Sequence, residues 1–222
     1  DPSLLQDSAT GRISLLVDAF PWGMGAFQAQ KGSGYRQGRL LLRRRGRRAY
    51  GYFVGEDGAI RRLDGSPTPY KADASLNLSK NGRPLTVGQR RPVYWQGRPW
   101  GLPTGKRVPM HLFYQGARFQ VFPTSYLFLL YSDDLGKTWS TPREINSLVK
   151  EDSLGFFGVC PGQGAQLSQG PHAGRLVFPA YALDARTGRQ QFRALYSDDG
   201  GSRWQAGTFA PLGEGISSMS ET

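Results

Sequence analysis

Short apolar segments alternate with turn-forming dipeptides along most of the chain, and this pattern predicts β-strands. The predicted strands are Ile13–Val17, Leu40–Arg44, Tyr50–Val54, Ala59–Leu63, Tyr126–Tyr131, Arg175–Ala180 and Gln191–Tyr196. The dipeptides Asp57-Gly58, Asp64-Gly65 and Asn81-Gly82 predict hairpin turns, because these residue types tolerate positive φ. Only Ile145–Glu151 is expected to form a turn or two of helix.

A nine-residue motif occurs twice, each time after a predicted strand. Residues 131–139 read YSDDLGKTW and residues 196–204 read YSDDGGSRW, a spacing of 65 residues. Asp134 and Asp199 are placed to accept backbone N–H groups across a hairpin corner, and the glycine two positions later can take positive φ. Trp139 and Trp204 are expected to fold back as apolar plugs between neighbouring sheets. Calcium binding by the paired aspartates is the alternative, but further oxygen donors at ligand spacing are missing.

The composition supports an all-β chain with a packed core. The 222 residues are 38% hydrophobic, and 30 glycines and 15 prolines make more than a fifth of the chain, which favours turns over helical bundles. No apolar run approaches the ~20 residues needed to cross a membrane, so no membrane span is expected. The single cysteine, Cys160, excludes an internal disulfide and a cysteine-based zinc site.

The net charge of +11 is unevenly distributed. Seven arginines crowd one short segment: Arg36, Arg39, Arg43, Arg44, Arg45, Arg47 and Arg48. Such a patch attracts polyanions, whether nucleic acid, acidic glycan or membrane surface. A solvated strand face is the favoured alternative, because the interleaved aromatic residues of a nucleic-acid module are missing, and no nucleic-acid partner is expected.

The repeated motif resembles the Asp-box of sialidases and related β-propellers, with Arg203 where threonine is usual in the second copy. Residues 156–164 and 172–181 look like the glycine-rich loop and the following strand of bacterial exo-sialidases of the neuraminidase type, with Cys160 at a usual glycine position. Residues 1–27 are similar to the segment leading to a Phe-Pro-x-Gly-x-Gly-x-Phe turn of that family.

This resemblance implies an all-β fold that is part of a six-bladed β-propeller. Residues 1–30 would be propeller strands, residues 31–110 an irregular β-rich insertion, and residues 111–222 propeller blades that carry Asp-boxes at 132–139 and 197–204. The chain, which starts at Asp1 without a methionine, is interpreted as an internal piece of a longer protein, with the remaining blades as its partners.

The family's reaction is hydrolysis of a terminal α-linked sialic acid by a tyrosine nucleophile that a glutamate activates. Three arginines clamp the substrate carboxylate, and an aspartate serves as acid and base. The resemblance places Glu221 as the activating glutamate and Asp1 near a carboxylate that lines the site. A surface glutamate and a turn residue before Pro2 are the alternatives. The tyrosine, the arginines and the acid/base aspartate are expected outside residues 1–222.

Three further residues match positions that contact the sugar in that family. Tyr181 corresponds to an aromatic that faces the glycerol tail, Gln190 to a hydrogen-bond partner of the same tail, and Phe27 to an aromatic on the rim. Buried packing is the alternative for both aromatics, and solvation for Gln190. His111 and His172, the only histidines, are interpreted as structural.

The resulting hypothesis is part of a retaining exo-α-sialidase that acts on sialylated glycans, needs no cofactor and is inactive as this piece alone. The expected location is secreted, periplasmic or on the surface of a bacterium. Two rival functions stay open: a non-catalytic carbohydrate-binding propeller, and a polyanion binder that uses the cluster from Arg43 to Arg48.

Overall fold

The computed structural model describes residues 1–95, 98–183 and 189–211. Its strands are β1 (Pro2–Gln6), β2 (Ile13–Ala19), β3 (Tyr35–Arg36), β4 (Arg39–Arg44), β5 (Tyr50–Val54), β6 (Ala59–Arg62), β7 (Pro67–Ala72), β8 (Leu78–Lys80), β9 (Arg83–Pro84), β10 (Thr86–Trp95), β11 (Arg98–Pro109), β12 (Phe119–Val121), β13 (Tyr126–Ser132), β14 (Arg143–Glu144), β15 (Phe157–Val159), β16 (Gly162–Gln163), β17 (Ala165–Gln166), β18 (Leu176–Leu183), β19 (Gln190–Ser197) and β20 (Gln205–Phe209). One short helix, α1, spans Asn146–Val149, and a 3-10 turn spans Ala26–Gln28. The prediction of an all-β chain with a turn or two of helix within Ile145–Glu151 is confirmed.

Two sheets form the part that resembles propeller blades. The first has the strand order β14-β13-β2-β1-β16, antiparallel except where β1 lies parallel to β16. The second has the order β15-β18-β19-β20, and β17 also pairs with β18. A common core joins them, with Leu16 and Leu129 from the first sheet and Phe178 and Leu195 from the second, all fully buried. Burial of such side chains is the main stabilising contribution.

The third sheet belongs to the segment between β2 and β13. Its eight strands have the order β12-β4-β5-β6-β7-β8-β9, with β3 paired to β4. β12 follows residue 110 in the chain, yet it pairs with β4 in this sheet. The dipeptide turns predicted at residues 57–58, 64–65 and 81–82 connect consecutive antiparallel strands of the same sheet. β10 and β11 form a separate two-stranded hairpin.

β13 separates the two cores of the molecule. Its sequence, YLFLLYS, begins with four buried apolar residues, and side chains alternate between the two faces of a strand. Leu127 and Leu129 enter the core between the blade sheets, while Tyr126 and Phe128 pack against the third sheet. This one strand therefore fixes the third sheet to the blades.

A buried polar network reinforces the same junction. The Asn146 side-chain amide accepts the Leu127 N–H at 2.9 Å and donates to the carbonyls of Ser33 at 3.1 Å and Ser125 at 2.8 Å. The Lys150 ammonium, also buried, donates to the Ser125 hydroxyl at 3.1 Å. Satisfied hydrogen bonds offset the cost of burying these groups, so α1 is anchored to both parts of the chain.

No helix within the described ranges has the length and apolar character that crossing a bilayer requires.

Candidate functional site

The two repeats fold as matching hairpin corners. In the first, the Asp134 carboxylate accepts the Thr138 N–H at 2.8 Å and its hydroxyl at 2.6 Å, and the Ser132 hydroxyl accepts the Gly136 N–H at 2.8 Å. The hydrogen bonds from Thr138 lower the pKa of Asp134 to about 2. Gly136 has a φ of 84°, as the turn requires. The predicted role of the aspartate is confirmed.

The second repeat keeps the same bonds although an arginine replaces the threonine. Asp199 accepts the Arg203 backbone N–H at 2.8 Å, and the guanidinium Nε donates to its other oxygen at 2.8 Å. The side-chain donor of the first repeat is thus replaced by a charged one, which lowers the pKa of Asp199 to about 2.

The two tryptophans differ in their packing. Trp204 is 2% exposed and packs against Phe178, with 5.0 Å between ring centroids, as predicted for a plug. The prediction for Trp139 is wrong, because this residue is 38% exposed and its ring lies beside Gly136 of its own hairpin. Only the two-residue strand β14 lies outside β13, so no second sheet covers Trp139 within the described ranges.

The strand register places both repeats at one end of their sheets. Ser132 at the end of β13 pairs with Ile13, while Tyr126 at its start pairs with Ala19. In the second sheet, Ser197 pairs with Leu176 at one end, and Gln190 pairs with Leu183 at the other. Strands of seven or eight residues separate the ends by roughly 20 Å.

At the end opposite the repeats, aromatic side chains form a small buried cluster. Phe156 stacks on Phe20 with ring centroids 5.9 Å apart and contacts the ring of Tyr181 at 4.9 Å. A Cβ on Gly158 would lie 2.3 Å from the Phe156 ring, so glycine is needed there. Cys160 is fully buried in the same cluster, consistent with its interpretation as a small packed residue.

Two of the predicted sugar-contacting residues share a face next to this cluster. Tyr181 pairs with Phe192, and Leu183 pairs with Gln190. Directly paired residues, and residues two apart on one strand, point to the same side of a sheet. The side chains of Tyr181 and Gln190 therefore lie on one face. Tyr181 is 6% exposed, so its body is packed.

Phe27 lies on a loop that closes over the same cluster. Ala26 and Ala29, on either side of it, pack against the Phe156 and Tyr181 cluster. Phe27 itself is 84% exposed, so its ring does not pack among the described residues. Phe20 and Phe156 were not predicted as residues of the site. In the sequence, only their positions close to this loop and to the glycine-rich segment mark them.

The register of β1 places Asp1 at the same end of the blade sheets, opposite the repeats. Ser3 pairs with Gly162 in the parallel pair, so Asp1 lies level with Cys160. Its carbonyl accepts the Asp18 N–H at 3.2 Å. Asp18, a buried carboxylate, was missed. The alternation of β2 places it on the buried face with Ser14 and Leu16, a signal that the sequence contains.

Glu221 lies outside the described residues, so its role stays a prediction. Both histidines have structural surroundings. The ring nitrogen Nδ1 of His111 accepts the Phe113 N–H at 3.0 Å, and burial lowers the pKa of His111. His172 lies in a turn, where its carbonyl accepts the Arg175 N–H at 3.0 Å. Among the residues of the three described ranges, no group of histidine, cysteine and carboxylate side chains could hold a metal ion.

Comparison with known proteins points to one group of enzymes. No family model matches the chain. The anhydrosialidase of Macrobdella decora is 36% identical over 92% of the chain, and Sialidase B of Streptococcus pneumoniae is 30% identical over 92%. The chain spans 27% and 29% of these relatives. The crystal structure of the intramolecular trans-sialidase from Ruminococcus gnavus covers 97% of the chain with a TM-score of 0.82 at 34% identity, and the chain covers 44% of it.

The fold and the sequence agree on the same relationship. The described sheets superpose on a sialidase structure, and the resemblance seen in the repeats and the glycine-rich segment extends over nearly the whole chain. The chain is a homologue of the sialidases and has the fold of part of their β-propeller, with a β-rich insertion between the blades.

Proposed function

We propose that the complete protein cleaves terminal α-linked sialic acid from glycans and that this chain supplies one wall of the site. The observation that carries the proposal is identity of 30% or more with two sialidases over 92% of the chain. The placement of Asp1, Phe27, Tyr181 and Gln190 at one end of the blade sheets supports it, because a substrate pocket needs convergent polar and aromatic groups.

Each residue then has a distinct part in binding. Tyr181 and Gln190 contact the glycerol tail of the sugar from one face of the second sheet, and Phe27 covers its rim. Asp1, together with Asp18, adds carboxylates that orient a cationic group of the site. Glu221 takes the proton of a tyrosine outside residues 1–222, since a phenol with a pKa near 10 is a poor nucleophile at neutral pH without a base.

Intramolecular transfer is a second candidate for the fate of the sialyl group. Two of the relatives are named an anhydrosialidase and an intramolecular trans-sialidase, at 36% and 34% identity. In such a reaction a hydroxyl of the same sugar, instead of water, attacks the anomeric carbon. The released sugar then contains one water less than free sialic acid, so mass spectrometry of the product separates the two candidates.

The test uses the complete protein and a small fluorogenic α-sialoside. Replacement of Glu221 by Gln keeps the shape and removes the base, so kcat should fall about 10²-fold or more. Glu56→Gln, in the exposed turn between β5 and β6, changes the charge equally and is the control; it should keep wild-type turnover. Turnover of the Glu221→Gln variant equal to wild type would overturn the role of Glu221. Absence of turnover in the wild type would overturn the sialidase proposal.

A location outside the cell is part of this proposal, because the glycans that carry terminal sialic acid are displayed there. Detection of the protein in the culture medium or on intact cells by protease accessibility tests this part.

A further inference from the structure

Charge is strongly segregated between the third-sheet region and the blades. Residues 31–121 contain 19 lysines and arginines but only four aspartates and glutamates, a formal net charge of +15. The rest of the chain contains nine basic and 13 acidic residues, a formal net charge of −4. A concentration of one sign on one part of a molecule produces a long-range field that attracts polyanions.

The third sheet gathers five of these cations at one tip. β4 ends at Arg44, and the turn to β5 is closed by the Arg47 N–H, which donates to the Arg44 carbonyl at 2.9 Å. The Arg45 N–H donates to the Arg118 carbonyl at 2.8 Å, which brings the segment before β12 alongside. We call the exposed residues Arg44, Arg45, Arg47, Arg48 and Arg118 the arginine tip.

Within the described ranges, no ion pair joins the arginine tip to a carboxylate. The ion pairs found in the described ranges involve other basic groups, and the single one in the third sheet joins Arg61 to Asp57. Five cations without counter-charges repel one another, and an anionic ligand would relieve this repulsion by displacing loosely held counter-ions.

The aromatic rings near the arginine tip are already packed. Tyr50 lies against Phe122 with ring centroids 5.8 Å apart, and Tyr52 against Phe119 at 5.1 Å. Single-stranded nucleic acids are held by bases that stack on exposed aromatic rings. The arginine tip offers charge without such stacking surfaces, which favours a ligand recognised by its anionic groups alone.

The arginine tip is also within reach of the candidate site. The Gln30 N–H donates to the Pro123 carbonyl at 2.8 Å, and short segments connect Gln30 to Phe27 and Pro123 to Arg118. Even with both segments fully extended, Phe27 and Arg118 lie no more than about 35 Å apart. A branched or linear glycan of several sugars spans this distance.

We propose that the arginine tip binds the anionic groups carried along a glycan chain, and that it is a second contact for substrates with many sialic acids. The second half of this inference rests on the proposed function; the binding itself does not. Carboxylates of sialic acid and sulfates of other acidic glycans share the chemistry that guanidinium groups recognise.

The test replaces Arg44, Arg45, Arg47 and Arg48 with serine in the complete protein. The matched control replaces four exposed cations of the same sheet region, Arg62, Lys71, Arg83 and Lys106, and so removes the same charge. Binding to polysialic acid, heparin, neutral dextran and a single-stranded DNA oligomer is measured at low and moderate salt. Turnover is measured with a small α-sialoside and with a multiply sialylated mucin.

At low salt, the tip variant should lose about tenfold or more in affinity for polysialic acid, and its affinity should depend less steeply on salt. The control should stay within about threefold of wild type. The KM for mucin should rise in the tip variant while turnover of the small sialoside stays unchanged. A loss of affinity for heparin but not for polysialic acid would assign the arginine tip to sulfated glycans.

Three results would overturn the proposal. The tip variant could bind both acidic glycans as tightly as wild type, or the control could lose as much affinity as the tip variant. The wild type could also bind DNA more tightly than either glycan, with the tip variant losing that binding. If the wild type cleaves neither substrate, the proposed function is wrong. The affinity measurements still decide whether the arginine tip binds acidic glycans.

Discussion

Single residues of the two repeats make unequal contributions to stability, although their backbone hydrogen bonds match. Trp204 is 2% exposed in the core between the blades, whereas Trp139 is 38% exposed. Trp204→Ala should therefore reduce the free energy of unfolding by about 3–5 kcal/mol, and Trp139→Ala by only about 1 kcal/mol. Urea denaturation of both variants checks this difference, and equal losses would contradict the packing of the repeats.

Phe27 provides a test of the site that does not disturb the fold. Its side chain is 84% exposed, so Phe27→Ala should leave the unfolding midpoint unchanged. If the ring contacts the sugar, its removal should raise the KM for a small sialoside about tenfold, the equivalent of about 1.4 kcal/mol of binding. Leu63→Ala removes another exposed apolar side chain, 55% exposed in the turn between β6 and β7, and should leave KM unchanged.

At the scale of elements, the junction between the third sheet and the blades contains a buried carboxylate. The Tyr35 hydroxyl donates to Glu144, and the Asn146 N–H donates to its other oxygen at 2.6 Å. Burial nevertheless raises the pKa of Glu144 from 4.5 to about 7. Burial also lowers the pKa of the neighbouring Lys150. The junction therefore responds to pH.

The sign of the response follows from the raised pKa. A carboxyl whose pKa is higher in the folded state stabilises the fold below pH 4.5, and this contribution is lost as pH rises to about 7. Glu144 should therefore lower the free energy of unfolding by about 1–3 kcal/mol between these pH values. His111, whose pKa is lowered by burial, acts in the opposite direction below its unfolded value.

Comparison of wild type with Glu144→Gln removes the contribution of His111, which is common to both proteins, and leaves the contribution of Glu144 together with its coupling to Lys150. The difference in unfolding free energy between the two proteins should change across this pH range, measured as urea midpoints at pH 4.5 and pH 7.5. A difference that is independent of pH would contradict the buried carboxyl.

The predictability of the elements depended on how regular their patterns were. β5 was predicted with its observed bounds, and β13 within one residue, because apolar residues fill both. The hairpin of β10 and β11 was missed, since prolines, glycines and arginines interrupt any alternation. A motif marks the candidate site at Tyr181, and the alternation of β2 marks Asp18 as buried. Phe20, in contrast, joins the site only through its ring contact with Phe156, a residue distant in the chain.

For the molecule as a whole, we expect catalysis to be divided between this chain and other parts of a longer protein. The chain spans under a third of the two sialidases, and the proposed nucleophile, acid and arginine clamp are assigned outside residues 1–222. The 222-residue chain alone should therefore show no turnover of a fluorogenic sialoside above background, while the complete protein turns it over. Turnover by the purified chain alone would contradict this division of roles.

A crystal structure of the complete protein with sialic acid bound would show directly whether this chain forms a wall of the active site. We expect the sugar at the end of β18 and β19, with its glycerol tail against Tyr181 and Gln190 and with Phe27 at its edge. The repeat hairpins should then lie roughly 20 Å away, at the opposite end of the strands. A sugar bound at the repeat hairpins, or at the arginine tip alone, would contradict the assignment of this wall to the active site.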